Sequence, residues 1–292
     1  MALDRNQVLK PVKKLRKVVK KIDRQPSPET IHDLRTNTRR FEAMLEALAL
    51  DPQDIGKPAL KRLTRFRKRA GKVRDMDVLT SYASQVHVDG EDECAIQLLE
   101  NLGMQRRKQA KRLYSVVQKH RPDVRSALKR APAVVEKCIR KNGGRRSTEV
   151  QVPDAAGAAV KLTADLAEPQ HLSRTNLHPY RLKVKELRNV LRMAAGESNA
   201  KFVDQLGEVK DAIGEWHDWE ELSAIAKDTL DHGRRCRLLT ELKHITDRKF
   251  EHALALTETF RKKYLSPRRK SARSSLPVPG EPAWRAIALL AG

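Results

Sequence analysis

Aromatic residues are scarce in this 292-residue chain, at 4% of the total. So few rings leave little for stacking the bases of a single-stranded nucleic acid. Cysteine is sparse as well. Cys94, Cys138 and Cys236 are odd in number and far apart, and they fit neither a disulfide framework nor a zinc spacing. That usage favours a reducing, cytoplasmic setting. No run approaches the roughly 18 apolar residues of a membrane span. The N-terminus alternates Lys with Val and Leu, which is not the continuous apolar stretch of a secretory signal. Alternating β-type runs are almost missing, with Glu149–Val152 the one short candidate. Acidic residues are in deficit, 37 Asp+Glu against 60 Lys+Arg, which leaves a formal charge of +23. A surplus of that size points to a polyanionic partner. The 39% of hydrophobic residues is enough to build a core and excludes wholesale disorder.

What is present is helical periodicity. Val8, Leu9, Val12, Leu15, Val19 and Ile22 recur at three- and four-residue steps, with Lys10, Lys13, Lys14, Lys17, Lys20 and Lys21 between them. This is an amphipathic helix with a basic face. Pro26 to Glu29 breaks and restarts the chain. Further helices are expected over about 30–50, 55–87 and 91–120, with a turn at Asp89-Gly90 before the last of these. A less regular helix follows over 122–138, bent or split at Pro132. Residues 141–153 read as a linker, by their Asn, Gly, Arg and Ser content. A second series then runs over about 154–167, 175–195, 200–230 and 233–264. Residues 265–292 form a basic Pro/Ser-rich tail with an apolar end, Ala283 to Leu290, able to dock back on the surface. The fold class is all-α, with residues 1–140 and 154–264 as two similar helical halves.

The similarity extends to motifs. His32-x-x-Arg35-x-x-x-Arg39 matches His178-x-x-Arg181-x-x-x-Lys185 at an offset of 146. Gly71-x-x-Arg74-Asp75-x-Asp77 matches Gly214-x-x-His217-Asp218-x-Glu220 at an offset of 143. Two short patterns in the same order at nearly equal offsets indicate internal duplication, hence two pseudo-symmetric four-helix bundles. Positions i, i+3 and i+7 share roughly a 60° arc of a helix and span about 10 Å. His178, Arg181, Lys185, Arg188 and Arg192 therefore form one basic stripe, opposite a core face of Leu177, Val184, Leu187, Val190 and Leu191. In the first copy Glu42 and Glu46 continue the arc and partly neutralise it. Arg67, Gly71 and Arg74 share a face, as do Lys210, Gly214 and His217. A glycine inside a helix costs roughly 1 kcal/mol, so Gly71 and Gly214 signal close approach of a helix or of a ligand.

These motifs resemble the CHAD (conserved histidine α-helical domain) family. Ile31 to Arg40 and Gly71 to Leu79 are similar to its first half. Leu177 to Arg181, Lys185, Leu187-Arg188 and Gly214 to Asp218 are similar to its second, and the likeness covers roughly residues 3 to 264. The resemblance implies two four-helix bundles about a pseudo-twofold axis, forming one domain whose basic surface binds inorganic polyphosphate. Carried over by position, it implies ligand contacts by His32, Arg35, Arg39, Arg74, His178, Arg181, Lys185, Arg188 and His217. Glu42 and Asn189 depart from the family pattern. The Glu-x-Glu-x-Lys signature of the triphosphatase domain carried by some relatives is absent, since Ala95 follows Glu91 and Glu93 where lysine is required. With the first helix beginning near Met1, the chain reads as a stand-alone binding module. Association of relatives with storage granules extends the expectation to granule attachment.

Polyphosphate has about one negative charge per phosphate and no base edges, so its receptor needs closely spaced cations on rigid supports. Arginine supplies a planar fork for phosphate oxygens and lysine a mobile point charge. Arg67, Lys210, Arg106 and Lys249 join the candidate set, the last two at the same offset of 143 on the fourth helices. The lysines of residues 10–21 read as a solvated face of nonspecific affinity. Asp75, Asp77, Asp218 and Glu220 read as carboxylates that hold arginines in place. No metal or cofactor is expected, because neighbouring cations oppose a metal at the histidines. Nonspecific nucleic-acid binding is the alternative function. A phosphohydrolase is the third, unsupported by any Walker loop, His-Glu-x-x-His motif or clustered carboxylate pair.

Overall fold

The computed structural model describes residues 5–47, 50, 55–142, 155–194, 200–231 and 235–265. All regular structure among them is helical. The short β-type candidate at 149–152, the glycine-containing linker from residue 143 onward, and the tail from residue 266 lie outside the described residues. The chain divides into two compact units, Met1–Val150 and Gln151–Gly292.

The first unit holds α1 (Arg5–Lys21), α2 (Pro28–Ala47), α3 (Lys57–Ala83) and α4 (Asp92–Asn142). Each helix packs on the next and α1 returns to α4, closing the four around one core. Val12, Leu15, Val19 and Ile22 of α1 are buried there with Ile31, Leu34 and Phe41 of α2, and with Leu63, Phe66 and Val73 of α3. Ser27 starts α2: its hydroxyl accepts from Thr30 N at 3.3 Å, and Pro28 occupies the first turn. The buried Thr38 hydroxyl donates to Leu34 O at 2.6 Å, so this polar group is satisfied within its own helix. Gly90, at φ 76°, takes the left-handed turn before α4.

One boundary differs from the sequence expectation. In place of a helix ending near His120 and a second one bent at Pro132, α4 is a single helix of 51 residues that passes through Pro122 and Pro132. Each proline removes one helical N–H, at a cost of about 3 kcal/mol. The stripe Val117, Val124, Ala127, Leu128, Ala131 and Val135 is buried on both sides of the prolines. Each large apolar side chain so buried contributes about 1.5–3 kcal/mol. The stripe therefore outweighs the local penalty and carries the helix across. Arg121 adds a tertiary tie by donating to Ile22 O at 2.5 Å.

The second unit holds α5 (Ala155–Ala167), α6 (Arg174–Ala194), α7 (Ala200–Thr229) and α8 (Arg237–Tyr264), each packed on its neighbour in sequence. Leu177, Val184, Leu187 and Leu191 of α6 are buried as their spacing requires, and the core adds Tyr180, Trp216 and Phe260. Arg261 of α8 donates to Ala167 O at 3.2 Å and also bonds Pro169 O, which fixes the end of α5. No helix among the described residues is long and apolar enough to cross a membrane.

Candidate anion-binding site

In the second unit the cations of α6 meet α7 through a repeated contact. Arg181 Nε donates to Lys210 O at 3.1 Å, and Arg188 Nε donates to Val203 O at 3.2 Å. Each carbonyl lies four residues before a glycine of α7, Gly214 and Gly207 respectively. A Cβ on Gly214 would stand 2.7 Å from Arg181 Nη2 and 2.9 Å from its Nε. On Gly207 it would stand 3.0 Å from Arg188 Nη2 and 3.1 Å from its Nε. The two guanidinium groups thus lie flat on bare helix backbone, one heptad apart on both helices. The ligand of each is a neutral carbonyl. Among the described residues neither has a carboxylate partner, so both keep their charge uncompensated.

His178 sits beside this pair. Its ring packs against that of His217, with centroids 4.1 Å apart and planes tilted by 46°. The Nδ1 atoms of both rings are buried and have no hydrogen-bond partner, and Glu220 stands 3.8 Å from His217 Nδ1. Burial, His217 and Arg181 together hold the His178 pKa below its ordinary value. All three causes disfavour the imidazolium and favour the neutral ring. Lys185 is half-buried on the same stripe of α6. The side chain of Arg192, its expected continuation, lies outside the described residues.

In the first unit, α2 and α3 bring Arg35, Arg39, Arg67 and Arg74 together. Burial is the main cause holding the Arg35 pKa below its usual value; Arg39, Arg74 and Arg67 push the same way, and Asp75 opposes them. Asp75 stands 3.8 Å from Arg35 Nη1. Clustered like charges cost free energy in the empty protein, and a bound polyanion removes that cost. His32 is exposed on this face, 3.3 Å from the Thr36 hydroxyl.

The second rung is different here. At the motif offsets of 146 and 143, Glu42 corresponds to Arg188 and Thr64 to Gly207. Glu42 accepts from the Thr64 hydroxyl at 2.7 Å and pairs with Arg67 at 3.1 Å. Gly71 seats no arginine, since a Cβ on it would meet nothing within 4 Å.

The remaining candidates are engaged elsewhere. Arg106 pairs with the nearly buried Asp77 at 2.6 Å and donates to Pro26 O at 2.9 Å, which ties α4, α3 and the α1–α2 connection together. Lys249 pairs with Glu215 at 2.7 Å, and Lys210 pairs with its neighbour Asp211. Gly207 was not singled out by motif. Its signal is the seven-residue step to Gly214, which mirrors the step from Arg181 to Arg188.

A family model described as the CHAD domain matches residues 7–227. The chain belongs to the CHAD domain family. The CHAD match spans α1 to nearly the end of α7, so it holds both arginine sets and both packed histidines, and leaves Lys249 and the rest of α8 outside. No curated protein and no solved structure matches the chain.

Proposed function

We propose that this CHAD-domain protein binds inorganic polyphosphate without cleaving it, through two repeat-related sets of cations. One set is Arg35, Arg39, Arg67 and Arg74 with His32, and the other is Arg181, Lys185 and Arg188 with His178 and His217. The observation that carries this reading is the pair of seated arginines. Arg181 and Arg188 are oriented by carbonyls, not neutralised by carboxylates, at a spacing of about 10 Å along α6. Such groups offer fixed N–H forks to a chain of phosphates. Membership of the CHAD family is consistent with a polyphosphate-related role. The binding-only reading draws on the site's carboxylates, because Glu42, Asp77 and Glu215 are each paired with a cation. The protein works in the cytoplasm in this proposal, with attachment to polyphosphate-rich granules as a consequence of binding.

The test is a titration with long-chain polyphosphate at physiological salt, with DNA and RNA as competitors and phosphate release followed in magnesium or manganese. Tight binding that short DNA and RNA fail to displace at equal phosphate concentration is the expected result. Displacement would replace the reading with nonspecific nucleic-acid binding. Phosphate release abolished by Asp75→Asn or Asp218→Asn would replace it with a phosphohydrolase.

A further inference from the structure

Because α4 does not stop near His120, its later turns run beside α1. The two helices enclose a groove of about 770 Å³. Lys13, Arg16, Lys17 and Lys20 line it from α1, at the i, i+3, i+4, i+7 positions of one face. Arg125 and Lys129 line it from α4, one turn apart. Arg121 closes the end, anchored to Ile22 O. The remaining lining residues are Pro122 and Ser126, with no carboxylate and no aromatic ring.

The charge is uncompensated. None of these seven α1 and α4 cations has an ion-pair partner among the described residues. Asp123, the one acid of α4 between Arg121 and Lys129, is held 2.5 Å from Arg62 of α3. Elsewhere in the same unit, Arg67 and Arg106 each have a carboxylate. A concave surface lined by one sign of charge concentrates positive potential where a ligand enters. The groove also shares no residue with the Arg35 cluster. That cluster lies on α2 and α3, the other pair of helices in this closed set of four.

We propose that the α1–α4 groove is a second, separate binding site for a segment of polyphosphate; this rests on the reading that the protein takes polyphosphate. A bare phosphate chain is thin and flexible enough to lie between two helices. A duplex is a convex cylinder that meets such a groove only at its rim, and a single strand finds no ring on which to stack its bases. One molecule therefore holds a long polymer at more than one point. Linking the contacts raises affinity for long chains far above that for short ones.

The experiment compares two triple variants of the full-length protein with equal composition and charge. Lys13→Ala/Lys17→Ala/Lys20→Ala strips the groove. Lys10→Ala/Lys14→Ala/Lys21→Ala strips exposed lysines of the same helix that do not line it. Calorimetric titration with a short, homogeneous oligophosphate reads stoichiometry, affinity and salt dependence. The groove variant should lose one class of sites, with that class weakened about tenfold or more. The slope of log K against log salt should fall by about two, at roughly 0.7 per phosphate contact. The control variant should keep both classes. Equal losses in the two triples, or no loss in the groove triple, overturn the proposal. Arg35→Ala/Arg181→Ala separates it from the reading beneath it. Should that reading fail, this variant binds as wild type does and only the groove triple matters. Should the groove fail, the reverse holds. Duplex DNA that binds as tightly and depends on the groove lysines would make the groove a nucleic-acid surface.

Discussion

Gly214→Ala separates a seated arginine from a merely nearby one. In an open helix, glycine to alanine stabilises by about 0.8–1.0 kcal/mol. At Gly214 the new methyl would lie 2.7 Å from Arg181 Nη2 and 3.1 Å from its Cζ, closer than side chains tolerate. The obstructing group is the end of a flexible side chain, so the helix survives and the guanidinium moves. Its bond to Lys210 O is lost, which for a partly exposed charged donor costs about 1–1.5 kcal/mol. The two effects nearly cancel in wild type. In an Arg181→Ala background only the gain remains, and the thermal midpoint should rise by about 2–4 °C. Gly71→Ala, with open space at its Cβ, should give the same rise in wild type. The coupling between positions 181 and 214, about 1–1.5 kcal/mol, comes from a double-mutant cycle in thermal or urea unfolding. Binding supplies a second readout. Gly214→Ala should weaken oligophosphate by about five- to tenfold and add nothing once Arg181 is gone. Full stabilisation by Gly214→Ala in wild type would refute the seat.

Arg35→Ala combined with Arg181→Ala should weaken polyphosphate binding far more than Lys10→Ala combined with Lys14→Ala, two lysines outside the groove; equal losses would show that only net charge matters. The histidine pair gives opposite pH slopes. Because the folded His178 pKa lies below its unfolded value, the empty protein loses stability as pH falls through that lowered pKa, while binding, which favours the imidazolium, tightens over the same range. Calorimetry in buffers of different ionisation enthalpy should show proton uptake on binding near neutral pH, diminished in His178→Gln. Arg106→Ala leaves Asp77 buried without its cation and should cost about 2–3 kcal/mol of stability in urea unfolding, with oligophosphate affinity unchanged.

Most of the architecture was legible because an apolar stripe at helical spacing is a strong signal. Leu177, Val184, Leu187 and Leu191 are buried where their periodicity puts them. The stripe Arg181, Lys185, Arg188 was legible for the same reason. Its partners were not, because a wheel shows which residues share a face and not what lies opposite. Gly214 stood out as an anomaly, yet close approach to a helix and close approach to a ligand leave the same mark in a sequence. The structure places an arginine of the neighbouring helix there, and at Gly71 it places nothing. Arg106 matched Lys249 by offset, but the tie to Asp77 and Pro26 depends on tertiary packing. The local rule for proline puts a boundary within α4, and the buried stripe on either side overrides it. The groove between α1 and α4 was invisible for that reason, since it exists only if the helix continues.

The heptad step between Arg181 and Arg188 has a consequence for a ligand built of identical units. Each guanidinium is fixed by a carbonyl in advance, and the two form a ladder along one face of α6. A polymer can then engage it in any register, and all registers are equivalent in energy. The number of such registers grows in proportion to chain length. Longer chains gain a purely statistical advantage, without one additional contact, and a bound chain can shift along the ladder in single-phosphate steps without letting go.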